Sequence, residues 1–429
     1  MSFFRIFLIL ASALAVTSCA KLTLAWADLK PDGDAAVPPA LGAFEGGGPV
    51  AGVADWEARK PALREALERE VYGTMPDGYA LHVLERKVLD EEAFDGLGRL
   101  VEFKLKADVT FGEETRETRV FYMDVIEPSG RDAAPVILMQ TYCPRRDTIP
   151  HPAITHVEGM GGCGGGGIGT SIMTYVFGRY IATPPLEEIL QRGYALATIY
   201  PSEFAPDSKT RGLPALKEMS AGLDGNRERW GAVAAWAWGF SLMIDALEEE
   251  SGAKERSYIT WGHSRYGKSA LLAAAFDDRI AGVISHQSGT GGASLNRRKK
   301  GESVRSITAA YPHWFTQAYA DYAGHEEDMG VDQHQLLALI APRPILVGNA
   351  RRDVWSDPNG AFRAAIGADP VYELLGSEGL EQTRLDQWKP DADIAFWIRA
   401  GTHGVVKEDW PAFFEFLDAH FPAGAASQG

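Results

Sequence analysis

"TWGHSRYGKSALLAAAF", residues 260–276, satisfies two active-site signatures at once. Gly262, Gly267, Lys268 and Ser269 fulfil the phosphate-loop pattern G-x-x-x-x-G-K-[ST]. The same residues set Ser264 between glycines where an apolar strand-like run turns into a helical one, one residue longer than the G-x-S-x-G nucleophile elbow. A phosphate loop turns successive backbone N–H groups inward around an anion, which favours small residues in its middle. Here the middle is His263, Ser264, Arg265 and Tyr266, all but one bulky. The strand expected after the following helix, "GVISHQS" (282–288), ends in His286 and Gln287, where a phosphate-loop protein wants an aspartate for magnesium. The N terminus, moreover, reads as an export signal, and an exported chain is parted from ATP. The nucleotide reading fails on three counts. The serine reading stands.

The chain around Ser264 supports it. Short apolar runs bounded by turn residues follow one another early: "LVEFKLKA", "TRVFYMDVI" and "PVILMQTY". Later runs, "YALATIY", "SYITWG", "GVISHQS", "PILVGNA" and "DIAFWIRA", alternate with helical stretches. Strands that follow directly and then alternate with helices predict a sheet that starts antiparallel and continues parallel. That is the order of an α/β-hydrolase: a three-layer sandwich with a mostly parallel central sheet, antiparallel at its N-terminal edge. Among the helices, "RERWGAVAAWAWGFSLMIDALEEE" is apolar on nearly every side and is expected to be buried. "WEARKPALREALEREVYG" carries Trp56, Leu63, Leu67 and Val71 at helical spacing. No linker divides the body, so residues 28–429 are read as one catalytic domain. Before it, "DLKPDGDAAVPPALGAFEGGGPVAG" reads as an extended arm. "GMGGCGGGGIG" (159–169) reads as a surface insertion, its other reading being a lining for a binding surface.

A serine hydroxyl becomes a nucleophile when a histidine takes its proton and an acid orients and balances that histidine. In this fold the chain order is Ser, then Asp or Glu, then His. Of the ten histidines, His403 lies in "RAGTHGVVKEDW", just past the last expected strand and before the terminal helix, where the base belongs. For the acid, "PILVGNARRDVWSDP" offers Asp353 and Asp357. Asp353 is nearer the strand end and is the preferred acid, whereas Asp357, before Pro358, has the setting of a turn or helix cap. Arg265 directly follows the serine and is positioned to offer a guanidinium to the oxyanion.

The 429 residues are 45% apolar and 23% charged, enough for a sizeable core, and the net charge of −16 argues against a nucleic-acid partner. The start, "MSFFRIFLILASALAVTSCAKLTLAWADLK", has an apolar run too short to span a bilayer and reads as an export signal over residues 1–27. Cleavage after "AWA" (Ala25 to Ala27) gives a soluble periplasmic or secreted product. "VTSC" gives instead a lipoprotein anchored at Cys19. Neither reading leaves a transmembrane segment in the mature chain. Cys143 and Cys163 are either a disulfide or two separate thiols. No CxxC or HExxH pattern occurs, and neither a metal nor a cofactor is expected.

With these residues placed, the body from about 185 to 420 resembles the glucuronoyl esterases of carbohydrate esterase family 15. The similarity runs through "ILQRGYALATIYPSEFAPD", "WGHSRYGKSALLAAAFDDRIAGVISHQSGTGGASLNRR", "GESVRSITAAYPHWF", "LLALIAPRPILVGNARRDVWSDPNGAF" and "GTHGVVKEDW". The resemblance implies a serine esterase that cleaves esters of 4-O-methyl-glucuronic acid, such as lignin–carbohydrate linkages of glucuronoxylan. It implies Ser264 as nucleophile, His403 as base, Arg265 as oxyanion-stabilising side chain, and Lys268, Glu302 and Trp355 as the residues that hold the sugar. A monomer is expected. Two departures stand out. The position where many members carry a triad glutamate is here Gln287, so Asp353 inherits the acid's task and replacement of Gln287 is expected to be mild. Fungal members have a disulfide cysteine where this chain has His263, so that bridge is excluded. Another esterase with the same triad, and an inactive glycan-binding relative, are the alternatives.

Overall fold

The computed structural model describes residues 25–32, 38–131, 133–159, 163, 174–223, 229–251 and 256–423. Ten strands form one sheet: β1 (Gly78–Glu92), β2 (Gly98–Phe111), β3 (Glu114–Glu117), β4 (Phe121–Pro128), β5 (Val136–Gln140), β6 (Ala195–Ile199), β7 (Tyr258–His263), β8 (Ile280–His286), β9 (Ile345–Ala350) and β10 (Ile394–Arg399). Their order is β1-β2-β4-β6-β5-β7-β8-β9-β10, with β3 paired to β2. The pairs β1/β2, β2/β4 and β4/β6 are antiparallel, and every pair from β6 to β10 is parallel. This is the α/β-hydrolase arrangement expected from the order of apolar runs. The parallel strands β5, β6, β7 and β9 are buried along their whole length. Their side chains are covered on both faces, which is why their sequences are apolar without alternation.

β1 was not legible in the sequence. It is the longest strand and lies at the sheet edge, and its residues "GYALHVLERKVLDEE" are mostly exposed or half-buried. Charged side chains suit an unpaired edge, which they protect from pairing with another chain, and they erase the apolar pattern that marks a strand.

Five helices matter for the site: α1 (Val53–Leu67), α2 (Ala232–Ser251), α3 (Arg265–Phe276), α4 (Pro358–Leu374) and α5 (Asp409–His420). Trp56, Leu63 and Leu67 of α1 are fully buried, and Val71 follows in a one-turn π-helix, Glu68–Tyr72. Side chains of α1 to α4 share one apolar cluster on one face of the sheet, and those of α5 belong to a second cluster on the other face. Three layers result. α2 is buried nearly all round, as its composition requires. α5 is seated by Trp410, which stacks on Trp261 of β7 with ring centres 5.6 Å apart.

The arm after the N-terminal apolar run has a fixed course where it is described. Ala27 N–H donates to the Arg351 carbonyl (2.7 Å), and the Asn359 amide donates to the Lys30 carbonyl (2.7 Å) while accepting from Asp32 N–H (2.8 Å). The apolar run read as an export signal and Cys19 lie outside the described residues, as does the glycine-rich stretch apart from Gly159 and Cys163. Cys163 forms a disulfide with Cys143, their Cα atoms 5.4 Å apart. No helix among the described residues is long and apolar enough to cross a membrane.

Candidate active site

β7 ends at His263, and α3 begins at Arg265. The one residue between them, Ser264, has φ 53° and ψ −121°, a conformation that L-residues avoid. Such a turn needs its neighbours to be small. A Cβ on Gly262 would meet the Tyr266 carbonyl oxygen at 1.9 Å, and one on Gly267 would lie 3.0 Å from Ser288 Cβ. The glycines thus serve a sharp strand-to-helix bend, not an anion nest. Ser264 N–H donates to the His286 carbonyl (2.8 Å), which ties the bend to β8. The hydroxyl therefore stands at the N-terminal end of α3, where the helix dipole favours negative charge.

The loops after β9 and β10 bring Asp353 and His403 to the same end of the sheet. His403 Nδ1 lies 2.7 Å from Asp353 Oδ2, and the Ser356 hydroxyl donates to that same oxygen at 2.6 Å. Burial pushes the Asp353 carboxyl up, but the His403 ring and the Ser356 bond outweigh it and hold the group below its usual range. Asp357 has a different setting. At φ 52° it caps α4, accepting from Gly360 N–H at 3.0 Å.

A cavity of about 500 Å³ opens between these loops. Ser264, Arg265, Lys268, Glu302, Asp353, Trp355 and His403 all line it, so the seven residues given roles from the sequence reach one space, while the alternative acid Asp357 does not. Among the described residues no hydrogen bond joins Ser264 to His403. Beside Ser264, the Tyr142 phenol donates its O–H to the His263 carbonyl.

Arg265 is not free in the cavity. Its guanidinium is paired with Asp207 and lies over the Trp314 ring, 5.0 Å from its centre. Asp207 also accepts from His313 Nε2 (2.9 Å) and Trp314 Nε1 (2.8 Å). Burial raises the Asp207 carboxyl, yet the bonds from His313, Arg265 and Trp314 bring it down to about 2. Sequence reasoning missed Asp207, although "FAPD" lies in the stretch that carries the family resemblance.

Lys268 sits on the first turns of α3 and donates to the carbonyls of Ser288 and Thr290, the latter at 2.6 Å. Burial lowers its ammonium to about 7, against the opposing charge of Glu302. Burial in turn raises the Glu302 carboxyl, opposed by Lys268. Glu302 N–H donates to the Trp355 carbonyl at 2.8 Å, so two residues 53 positions apart form one wall. Trp355 leaves 56% of its surface exposed, an aromatic face open at the cavity rim.

Below the cavity floor His263 Nδ1 faces His286 Nδ1 at 3.2 Å, and the His263 and His403 ring centres are 4.6 Å apart. Burial, then the nearby His403 and His286, keep the His263 imidazole well below its usual range. Among the described residues no group of three or more His, Cys, Asp or Glu side chains is set to hold a metal ion.

A family model described as glucuronyl esterase of fungi matches residues 180–376. The solved glucuronoyl esterase from Solibacter usitatus is 30% identical, with a TM-score of 0.73 over 91% of this chain and 98% of that one. The chain belongs to the glucuronoyl esterase family. Another solved relative is described as a promiscuous esterase of carbohydrate esterase family 15 from a marine bacterial metagenome. It is 29% identical, with a TM-score of 0.77 over 92% of this chain and all of that one. The carbohydrate esterase MZ0003, from an unknown prokaryotic organism, is 39% identical over 244 residues, 56% of each protein. The matched stretch thus spans just over half the length of that curated relative.

Proposed function

We propose that this chain is an exported serine carboxylic-ester hydrolase that cleaves esters of (4-O-methyl-)glucuronic acid, with residues 28–429 as its catalytic domain. The observation that carries the reading is the His403–Asp353 pair opening into the same cavity as Ser264, with Lys268, Glu302 and Trp355 along its walls. His403 takes the Ser264 proton through Nε2, because Nδ1 is committed to Asp353. The serine oxygen attacks the ester carbonyl carbon, and the oxyanion that forms is stabilised by Arg265 and the start of α3. Collapse breaks the ester C–O bond, and His403 returns the proton to the departing alcohol. Water, deprotonated by His403, then attacks the acyl-serine and releases glucuronate. Lys268 and Glu302 are suited to donate to and accept from sugar hydroxyls, and Trp355 to pack on the ring. The Cys143–Cys163 disulfide supports an oxidising compartment, consistent with export.

The likeness to a promiscuous esterase favours a second reading, a broader carboxylic-ester hydrolase built on the same serine. Hydrolysis of methyl glucuronate compared with methyl galacturonate and an aryl acetate, with Ser264→Ala as control, tests both. The proposal expects methyl glucuronate to be turned over best and Ser264→Ala to be inert. Equal turnover of all three esters favours the second reading, and an active Ser264→Ala removes both.

A further inference from the structure

Gln287 follows β8 and is 1% exposed. Its backbone adopts φ 50°, and its N–H donates to the Gly348 carbonyl at 2.7 Å, which fixes where the side chain starts. Both ends of the amide are spent on one loop. Oε1 accepts from Gly404 N–H at 2.8 Å, and Nε2 donates to the Thr402 carbonyl at 3.4 Å. Thr402 and Gly404 are the two chain neighbours of His403. We infer that Gln287 is a positioning residue for His403: one neutral amide grips the peptide groups on either side of that histidine and thereby fixes its ring opposite Asp353. The inference rests on the reading of His403 as the base.

Other contacts hold the loop's outer parts. Arg352 N–H donates to the Gly401 carbonyl (2.8 Å), Arg399 Nη2 to the Gly404 carbonyl (2.8 Å), and Val405 N–H to the Phe177 carbonyl (2.7 Å). Arg399 also spans the loop, donating to the Ala400 carbonyl (2.9 Å) as well as to that of Gly404, but among the described residues Gln287 is the side chain that bonds both immediate neighbours of residue 403. The chemistry also selects an amide. The loop presents one N–H and one carbonyl, so the partner must accept once and donate once. A carboxylate accepts only, would leave the Thr402 carbonyl without its donor, and would add a second negative charge beside Asp353. The residue that cannot balance an imidazolium's charge is thus matched to a different task. The mild effect of replacement expected from sequence alone gives way to a kinetic one, since a catalytic group displaced by about 1 Å can cost about a hundredfold in rate.

The test compares wild type, Gln287→Ala and Gln287→Glu as full chains, by steady-state kinetics and by nitrogen-15 NMR of the histidine rings, with His403→Ala assigning the resonance. For Gln287→Ala the expected result is a kcat lower by about tenfold to a hundredfold with KM little changed, and a His403 ring that no longer holds the single Nδ1–H tautomer. Gln287→Glu keeps the size and the Gly404 bond. It is expected to retain more kcat and to move the acidic limb of the pH profile upward, because an added carboxylate favours the imidazolium. If Gln287→Ala does not fold, Gln287→Glu alone carries the test through that pH shift. An unchanged kcat in Gln287→Ala, or a loss confined to KM, overturns the inference. A wild-type chain inert to every ester would sink the proposed function instead, and the ring spectra would still decide whether Gln287 holds His403.

Discussion

His403 meets Asp353 and not Asp357: its Nδ1 lies 2.7 Å from Asp353 Oδ2, while Asp357, four residues on, turns its carboxylate back onto the first turn of α4. The two aspartates therefore fail differently when changed. Asp353→Asn removes the acceptor that selects the His403 tautomer and is expected to lower kcat by about ten-thousandfold. Asp357→Ala removes a helix cap and is expected to cost about 1–2 kcal/mol of stability, with kcat near the wild-type value. Kinetics and denaturant melts on the two variants separate the cases, and the reverse pattern refutes the assignment of Asp353.

Arg265 owes its orientation to Asp207. Loss of a good oxyanion donor costs about a hundredfold to a thousandfold in kcat, and Arg265→Ala is expected in that range. Asp207→Ala should produce a smaller fall in kcat by freeing the guanidinium, and Arg265→Lys should not rescue, because a point charge cannot reproduce the planar fork. The folded Asp207 carboxyl titrates near 2, below the ordinary 3.8, so the stability it contributes is present above about pH 4 and lost as pH falls toward 2. The pair accordingly stays intact through mild acid. An acid limb of kcat between pH 5 and 7 that vanishes in Asp207→Ala would contradict this.

On the proposed function, the Lys268, Glu302 and Trp355 wall is expected to distinguish sugar esters from simple ones. Lys268 and Glu302 oppose each other's charge without a direct bond, and Lys268 keeps its bonds to the Ser288 and Thr290 carbonyls when Glu302 is truncated. For each of Lys268→Ala, Glu302→Ala and Trp355→Ala, kcat/KM for methyl glucuronate is expected to fall well beyond the fall for an aryl acetate. Parallel losses on both substrates would show that these residues support the fold or the triad and not the sugar.

Glu203 offers a stability test far from the chemistry. Burial raises its carboxyl to about 7, against the charge of Arg145 and the Tyr122 N–H bond. The folded group titrates above its unfolded value of 4.5, so its contribution to stability is full below about 4.5 and is lost as pH rises toward 7. Glu203→Gln, which keeps the acceptor for Tyr122 N–H (2.8 Å), is expected to melt higher than wild type above pH 7 and to show no such advantage at pH 4. Melting curves that run parallel across this range would show that the carboxyl is not perturbed.

Much of this was open to reading in the chain itself, for physical reasons. The doubly covered strands β5 to β10 show as apolar runs because burial on both faces tolerates little else. The bend at Ser264 shows because a Cβ at Gly262 would collide with the Tyr266 carbonyl and one at Gly267 would crowd Ser288. Chain order then pointed to Asp353 and His403. β1 stayed hidden, since an edge strand facing water has no apolar pattern to display. Asp207, and the contact that Gln287 makes, stayed hidden for another reason: their partners, Arg265 and the His403 loop, lie 58 and more than 100 residues away, and no local periodicity encodes a contact across that distance. The sequence by itself determined which side chains are the candidates for chemistry and which layers enclose them. Only the packed sheet decided which carboxylate meets which cation and which amide grips which loop, because a hydrogen bond within 3 Å depends on where whole strands come to rest.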